Sequence, residues 1–113
     1  MKDKTKITFV INEGLQKELH EKIVKENYGF RGKSKWISEA IELLLNMDNY
    51  PELVNFGDEL KKFEKVETIV IENHLKRKLD EAIIRTRKVY PILEGVQSRI
   101  VRTAIIQRLI QVT

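Results

Sequence analysis

The side chains best able to do chemistry in this chain are two histidines, a string of glutamates and a Gly-Lys-Ser-Lys run. His20 and His74 could ligate a metal or move a proton, but they stand far apart in sequence and lack nearby partner ligands. Glu13, Glu18, Glu21 and Glu26 could offer paired carboxylates for acid–base work. Lysines are interleaved with them, which is the pattern of a salt-bridged solvent face. Cysteine is absent, which removes disulfides, thiol nucleophiles and Cys-based zinc sites together. No glycine-rich phosphate loop, metal-ligand spacing or Ser/His/Asp arrangement occurs, so the expectation is a protein that is not an enzyme and uses no metal or cofactor. What remains is Gly32, Lys33, Ser34 and Lys35, at the start of an apolar-periodic stretch. The first turn of a helix leaves backbone N–H groups unpaired at the positive end of the dipole, and with two lysines it can hold an anion.

The elements that position these residues must come from 113 residues, enough for one compact domain or two very small ones sharing a core. A 42% hydrophobic share supports such a core. Residues 1–56 carry nine basic and nine acidic side chains, whereas residues 57–113 carry twelve and eight, so the net +4 lies in the second half. A basic excess suits an anionic partner. No apolar run approaches the roughly 20 residues that span a bilayer, and Met1-Lys2-Asp3-Lys4 leads into no signal-peptide segment. The expectation is a soluble, cytoplasmic protein without a membrane partner or an evident small-molecule ligand. Isoleucine outnumbers leucine, charged residues reach 34% and cysteine is missing, a composition that fits a thermophile.

The chain repeats itself. Residues 7–26 laid over residues 67–86 agree at seven of twenty positions, among them Thr8/Thr68, Val10/Val70, Leu15/Leu75, Leu19/Leu79 and Ile23/Ile83. The match resumes at an offset of 64, with residues 34–41 over residues 98–105. The four extra residues fall around Val89-Tyr90-Pro91-Ile92, where proline predicts a loop. Each copy reads as a short β-branched strand, residues 5–11 or 66–71, and two helices. Asn12 can cap the first helix, Gly29 and Gly32 close it and open a turn, and the second helix starts near Ser34 or Ser98. The organisation is residues 1–46, a linker of residues 47–64, and residues 65–113. Pro51 fits a first helical position and Gly57 a helix stop in that linker, whose Leu53, Phe56, Leu60 and Phe63 are expected to pack on the body.

A lone strand leaves its backbone groups unpaired, and each copy offers one. Pairing the two makes an antiparallel ribbon over four helices, with Ile7, Phe9, Ile11, Ile69 and Ile71 turned inward. Lys6, Thr8, Val10, Val66, Thr68 and Val70 then face away from the core. The fold class is mostly α with a short antiparallel β-ribbon. Trp36, in the first turn of a second helix, is expected to seal the core edge.

A strand, an amphipathic helix, a small-residue turn and a helix beginning Gly-Lys-Ser-Lys-Trp-Ile-Ser-Glu-Ala-Ile resemble the ribbon-helix-helix DNA-binding family. The resemblance covers residues 4–45 and, more loosely, residues 65–110. Two units in one chain are similar to the tandem ribbon-helix-helix regulators of archaeal viruses. The resemblance implies an intramolecular pseudo-dimer of the two motifs, with a swapped arrangement between chains as the other geometry that the linker length allows. It implies a transcriptional repressor or activator that binds double-stranded DNA, with further self-association on DNA. Lys6, Thr8, Val10, Thr68 and Val70 would face base edges in the major groove. Phosphates would be held by Lys4, Gly32, Lys33, Ser34 and Lys35 in one unit and Gln97, Ser98 and Arg99 in the other. Arg85, Arg87, Lys88 and Arg102 would add general attraction or form a solvated face. Two departures stand out: the second strand has no Arg, Lys, Asn or Gln on its outward face, and Val96 replaces the small residue at the helix start.

The alternative is a protein-interaction module, antitoxin-like or an assembly protein, on the same fold. Antitoxins of the family carry a tail that wraps the toxin. With the sequence closing at Thr113 directly after the last helix, the linker is the segment expected to hold such a partner.

Overall fold

The computed structural model describes residues 3–29, 32–56 and 64–111. The element order is β1 (Lys4–Asn12), α1 (Glu13–Lys25), α2 (Lys33–Leu45), α3 (Tyr50–Asn55), β2 (Glu64–Glu72), α4 (Asn73–Val89) and α5 (Val96–Ile110). The chain is mostly helical, with one two-stranded antiparallel sheet. A strand followed by two helices thus occurs twice, with α3 between the two.

β1 and β2 pair along their full lengths, with Lys6 opposite Val70, Thr8 opposite Thr68 and Val10 opposite Val66. Each strand is longer than its apolar run because paired backbone extends past the last buried side chain. Ile7, Phe9 and Ile11 are buried beneath the ribbon with Ile69 and Ile71. Glu67 occupies the same inward series and is also buried, a position that the apolar pattern of β2 did not mark.

Asn12 caps α1 by accepting a hydrogen bond from the Leu15 amide at 2.7 Å. Leu15, Leu19 and Ile23 turn the inner face of α1 to the core, and Leu75 and Leu79 do the same for α4. α4 runs 17 residues against 13 for α1, so much of the extra length between the repeats is a further helical turn, with Val89 its last residue. Arg87 and Lys88 in that turn complement the helix dipole, and the turn at Tyr90 and Pro91 stops it.

α2 and α5 pack against each other and under the ribbon through Trp36, Ile37, Ala40, Ile41 and Leu44 from one and Ile100, Val101, Ala104 and Ile105 from the other. Trp36 is fully enclosed, its indole N–H donates to Glu26 at 2.7 Å, and the Arg108 guanidinium lies 4.5 Å over its ring. In the linker, Pro51 opens α3 in its first turn, and the helix docks through Tyr50, Pro51 and Val54. Phe56, expected to pack inward, is 84% exposed, because it falls past the last helical residue on the face that Val54 does not occupy. Gly57, Leu60 and Phe63 lie outside the described residues.

Candidate nucleic-acid interface

The outward ribbon face carries Lys4, Lys6, Thr8 and Val10 from β1 and Val66, Thr68, Val70 and Glu72 from β2, all exposed or half-exposed, with Glu72 opposite Lys4. The Thr8 and Thr68 hydroxyls meet at 3.4 Å in the middle of the ribbon. The alternation that buries Phe9 and Ile69 places the five residues read as base-contacting on this one face.

The starts of α2 and α5 flank that face, each tied to the strand of the other unit. Ser34 Oγ accepts from the Val70 amide at 3.1 Å, and Ser98 Oγ accepts from the Val10 amide at 3.2 Å. Gln97 Nε2 donates to the Thr8 carbonyl at 3.0 Å, and Arg102 Nη1 donates to the Val10 carbonyl at 2.9 Å. α5 thereby satisfies backbone groups on the free edge of β1. Ser34 and Ser98 do not cap their helices: the N-cap residues are Gly32 and Gly95, with no side-chain cap at either. The start of each helix is therefore left without side-chain acceptors on its backbone N–H groups.

Both glycines are required. A Cβ at Gly32 would stand 2.3 Å from the Tyr28 Cβ and 2.4 Å from its carbonyl oxygen, so α2 can start here only behind glycine. Gly95 adopts φ 59°, the left-handed region. The small residue that the repeat placed at Val96 is supplied one position earlier, and Val96 is buried as the first residue of α5.

The cations divide into free and committed. Lys4, Lys6 and Lys35 are exposed. Lys33, expected at a phosphate, places its ammonium 2.5 Å from Glu67 Oε1. Gln16 Nε2 donates to the other carboxylate oxygen at 2.5 Å, and His20 Nε2 lies 3.7 Å from it. Burial opposes the Glu67 carboxylate, but the hydrogen bonds from Lys33 and Gln16, with the charges of Lys33 and His20, outweigh it and hold its pKa below the usual carboxylate value. Arg99, also expected at a phosphate, donates through Nη2 to the Val54 and Asn55 carbonyls at 3.3 and 3.0 Å, closing the C-terminal end of α3. Arg102, read as a surface cation, is buried because it serves the edge of β1. Arg85 donates to the Asp48 carbonyl and stacks 4.9 Å from Tyr50, while Arg87 and Lys88 are exposed.

Sequence reasoning missed Glu67 and the strand-edge roles of Ser34, Ser98 and Gln97. Glu67 was detectable from parity, since it sits two residues before Ile69 and aligns with Ile7. Among the described residues no group of three or more His, Cys, Asp and Glu could hold a metal ion, and no helix is long and apolar enough to cross a membrane. No family model matches the chain, and no curated protein or solved structure shows a significant match to it.

Proposed function

We propose that this chain is a tandem ribbon-helix-helix regulator of transcription whose two units pair within one chain and whose β-ribbon enters the major groove of double-stranded DNA. The observation that carries this reading is the outward ribbon face: two strands, no helix among the described residues covering them, and a helix start without a side-chain cap tied to each strand. Two strands about 4.8 Å apart fit a groove about 12 Å wide. Lys6 can donate to guanine O6 or N7, Thr8 and Thr68 can donate or accept, and the methyl groups of Val10 and Val70 suit thymine methyls. Lys4, Lys35 and the uncapped N–H groups behind Gly32 supply phosphate contacts.

The test is fluorescence-anisotropy titration of duplex DNA at two salt concentrations, with wild type and Lys6→Ala/Thr8→Ala. Affinity should fall by about 0.9 log unit per log unit of salt for each phosphate neutralised. The double variant should keep most of that slope and lose its preference among sequences. Absence of binding to any duplex at low salt would sink the proposal. It would favour the alternative, a protein-interaction module, for which Phe56 at the end of α3 is the most exposed aromatic anchor among the described residues.

A further inference from the structure

Resting on that reading, we infer that the chain binds DNA in one orientation, on a non-palindromic site whose two halves are read by different chemistry. The two ends of the ribbon are not alike. The register sets Lys6 opposite Val70, and the Val70 amide is bonded to Ser34, so Lys4, Lys6 and the start of α2 with Lys35 share one end. Three exposed ammonium groups lie there, against one exposed carboxylate, Glu72, opposite Lys4.

The other end carries Val10 opposite Val66, the latter 68% exposed, beside the start of α5. The polar side chains of that helix start are already engaged. Gln97 donates to the Thr8 carbonyl, Ser98 accepts from the Val10 amide, and Arg99 is bound to the end of α3. The neighbouring cations are Arg87, in a hollow with Glu94, and Lys65, exposed at the start of β2. The Lys33–Glu67 pair, on one side of the ribbon, has Gln97 and Ile7 as its counterparts on the other, so the asymmetry extends into the core.

The chemistry follows from these groups. The lysine end can donate to guanine from the outward face, whereas the outward positions of the valine end, Val10 and Val66, offer methyl groups and no donor, which suits thymine; the exposed Lys65 there belongs to the inward series of β2. A homodimer repeats each strand and must read two like halves. This ribbon does not repeat.

Two measurements on the full chain test this. Selection from a random-sequence duplex library should return a consensus with a G·C-containing half and an A·T half, not an inverted repeat. Lys6→Ala should flatten the first half, weaken binding to the selected duplex about tenfold and leave the second half intact. For orientation, the chain has no cysteine, so Lys65→Cys, at the valine end, accepts a single iron–EDTA cleaving group. On a short duplex holding one selected site, strand cuts should fall on the A·T flank alone. An inverted-repeat consensus, or equal cutting on both flanks, overturns the inference and leaves the DNA-binding reading standing. Failure to enrich or bind any duplex overturns both.

Discussion

Glu67 is a single side chain at which the two halves of the chain differ in charge, since its counterpart is Ile7. It is a carboxylate at a core-facing strand position, opposite Phe9, and it survives there because Lys33, Gln16 and His20 converge on it. Its folded pKa is held below the ordinary value of 4.5. Folding therefore favours the ionised form, and the stabilisation is fully present above the unfolded value. It is lost as pH falls from about 4.5 through the depressed folded value. Glu67→Gln should cost about 1–3 kcal/mol at neutral pH, because Lys33 loses its counter-charge while still reaching water. The variant should also show a flatter stability curve than wild type in that acid window. Urea denaturation at pH 7 and at stepped acid pH checks both. A variant that follows the wild-type acid curve would show that Glu67 is not the group responsible.

At the scale of elements, the strands, the four long helices, the Asn12 cap and the proline-led linker helix were all legible, because each has a local cause. Period-two and period-four spacing, an Asx cap and a proline act within a few residues of where they stand. What could not be read was how helix starts meet strand edges. Ser34 and Ser98 look like caps in sequence, and only the packing of α2 and α5 beside the ribbon turns their hydroxyls to the Val70 and Val10 amides. Arg99 and Arg102 look like surface cations for the same reason: the acceptors they serve are 44 and 92 residues away. The candidate site was legible as a face, from alternation alone, and not as a charge distribution. A consequence is measurable. Ser34→Ala and Ser98→Ala should each cost about 1 kcal/mol by leaving a strand amide without its partner. The two sites sit at opposite ends of the ribbon, so the losses should add in the double variant. Urea midpoints at unchanged slope report this, and a loss from one serine alone would mean that the two helix starts are not equivalent.

For the whole molecule, the bonds that join the halves decide which halves belong together. Ser34 with Val70 and Ser98 with Val10 are related by the repeat, so they would form equally well between two copies of the same half. The Lys33–Glu67 pair would not. Two first halves would set Lys33 against Ile7, and two second halves would set Glu67 beside Gln97, with Lys76, itself paired to Asp80, in the place of Gln16 and Asp80 in the place of His20. Pairing of first halves therefore leaves Lys33 without its carboxylate, and pairing of second halves puts Glu67 near a second acid, at a cost on the order of 1–3 kcal/mol per site. A chain cut within residues 57–63 offers the choice directly. When the two fragments are purified separately and then mixed, the helical circular-dichroism signal should exceed the sum of the parts. The mixed complex should also form at a concentration at least about tenfold lower than either fragment needs with itself. Replacing the pair by Lys33→Gln with Glu67→Ile copies the groups of the other side and should remove that preference while keeping the fold. If the preference persists in that double variant, selectivity lies elsewhere along the α2–α5 contact and the buried pair is a local adaptation of one half.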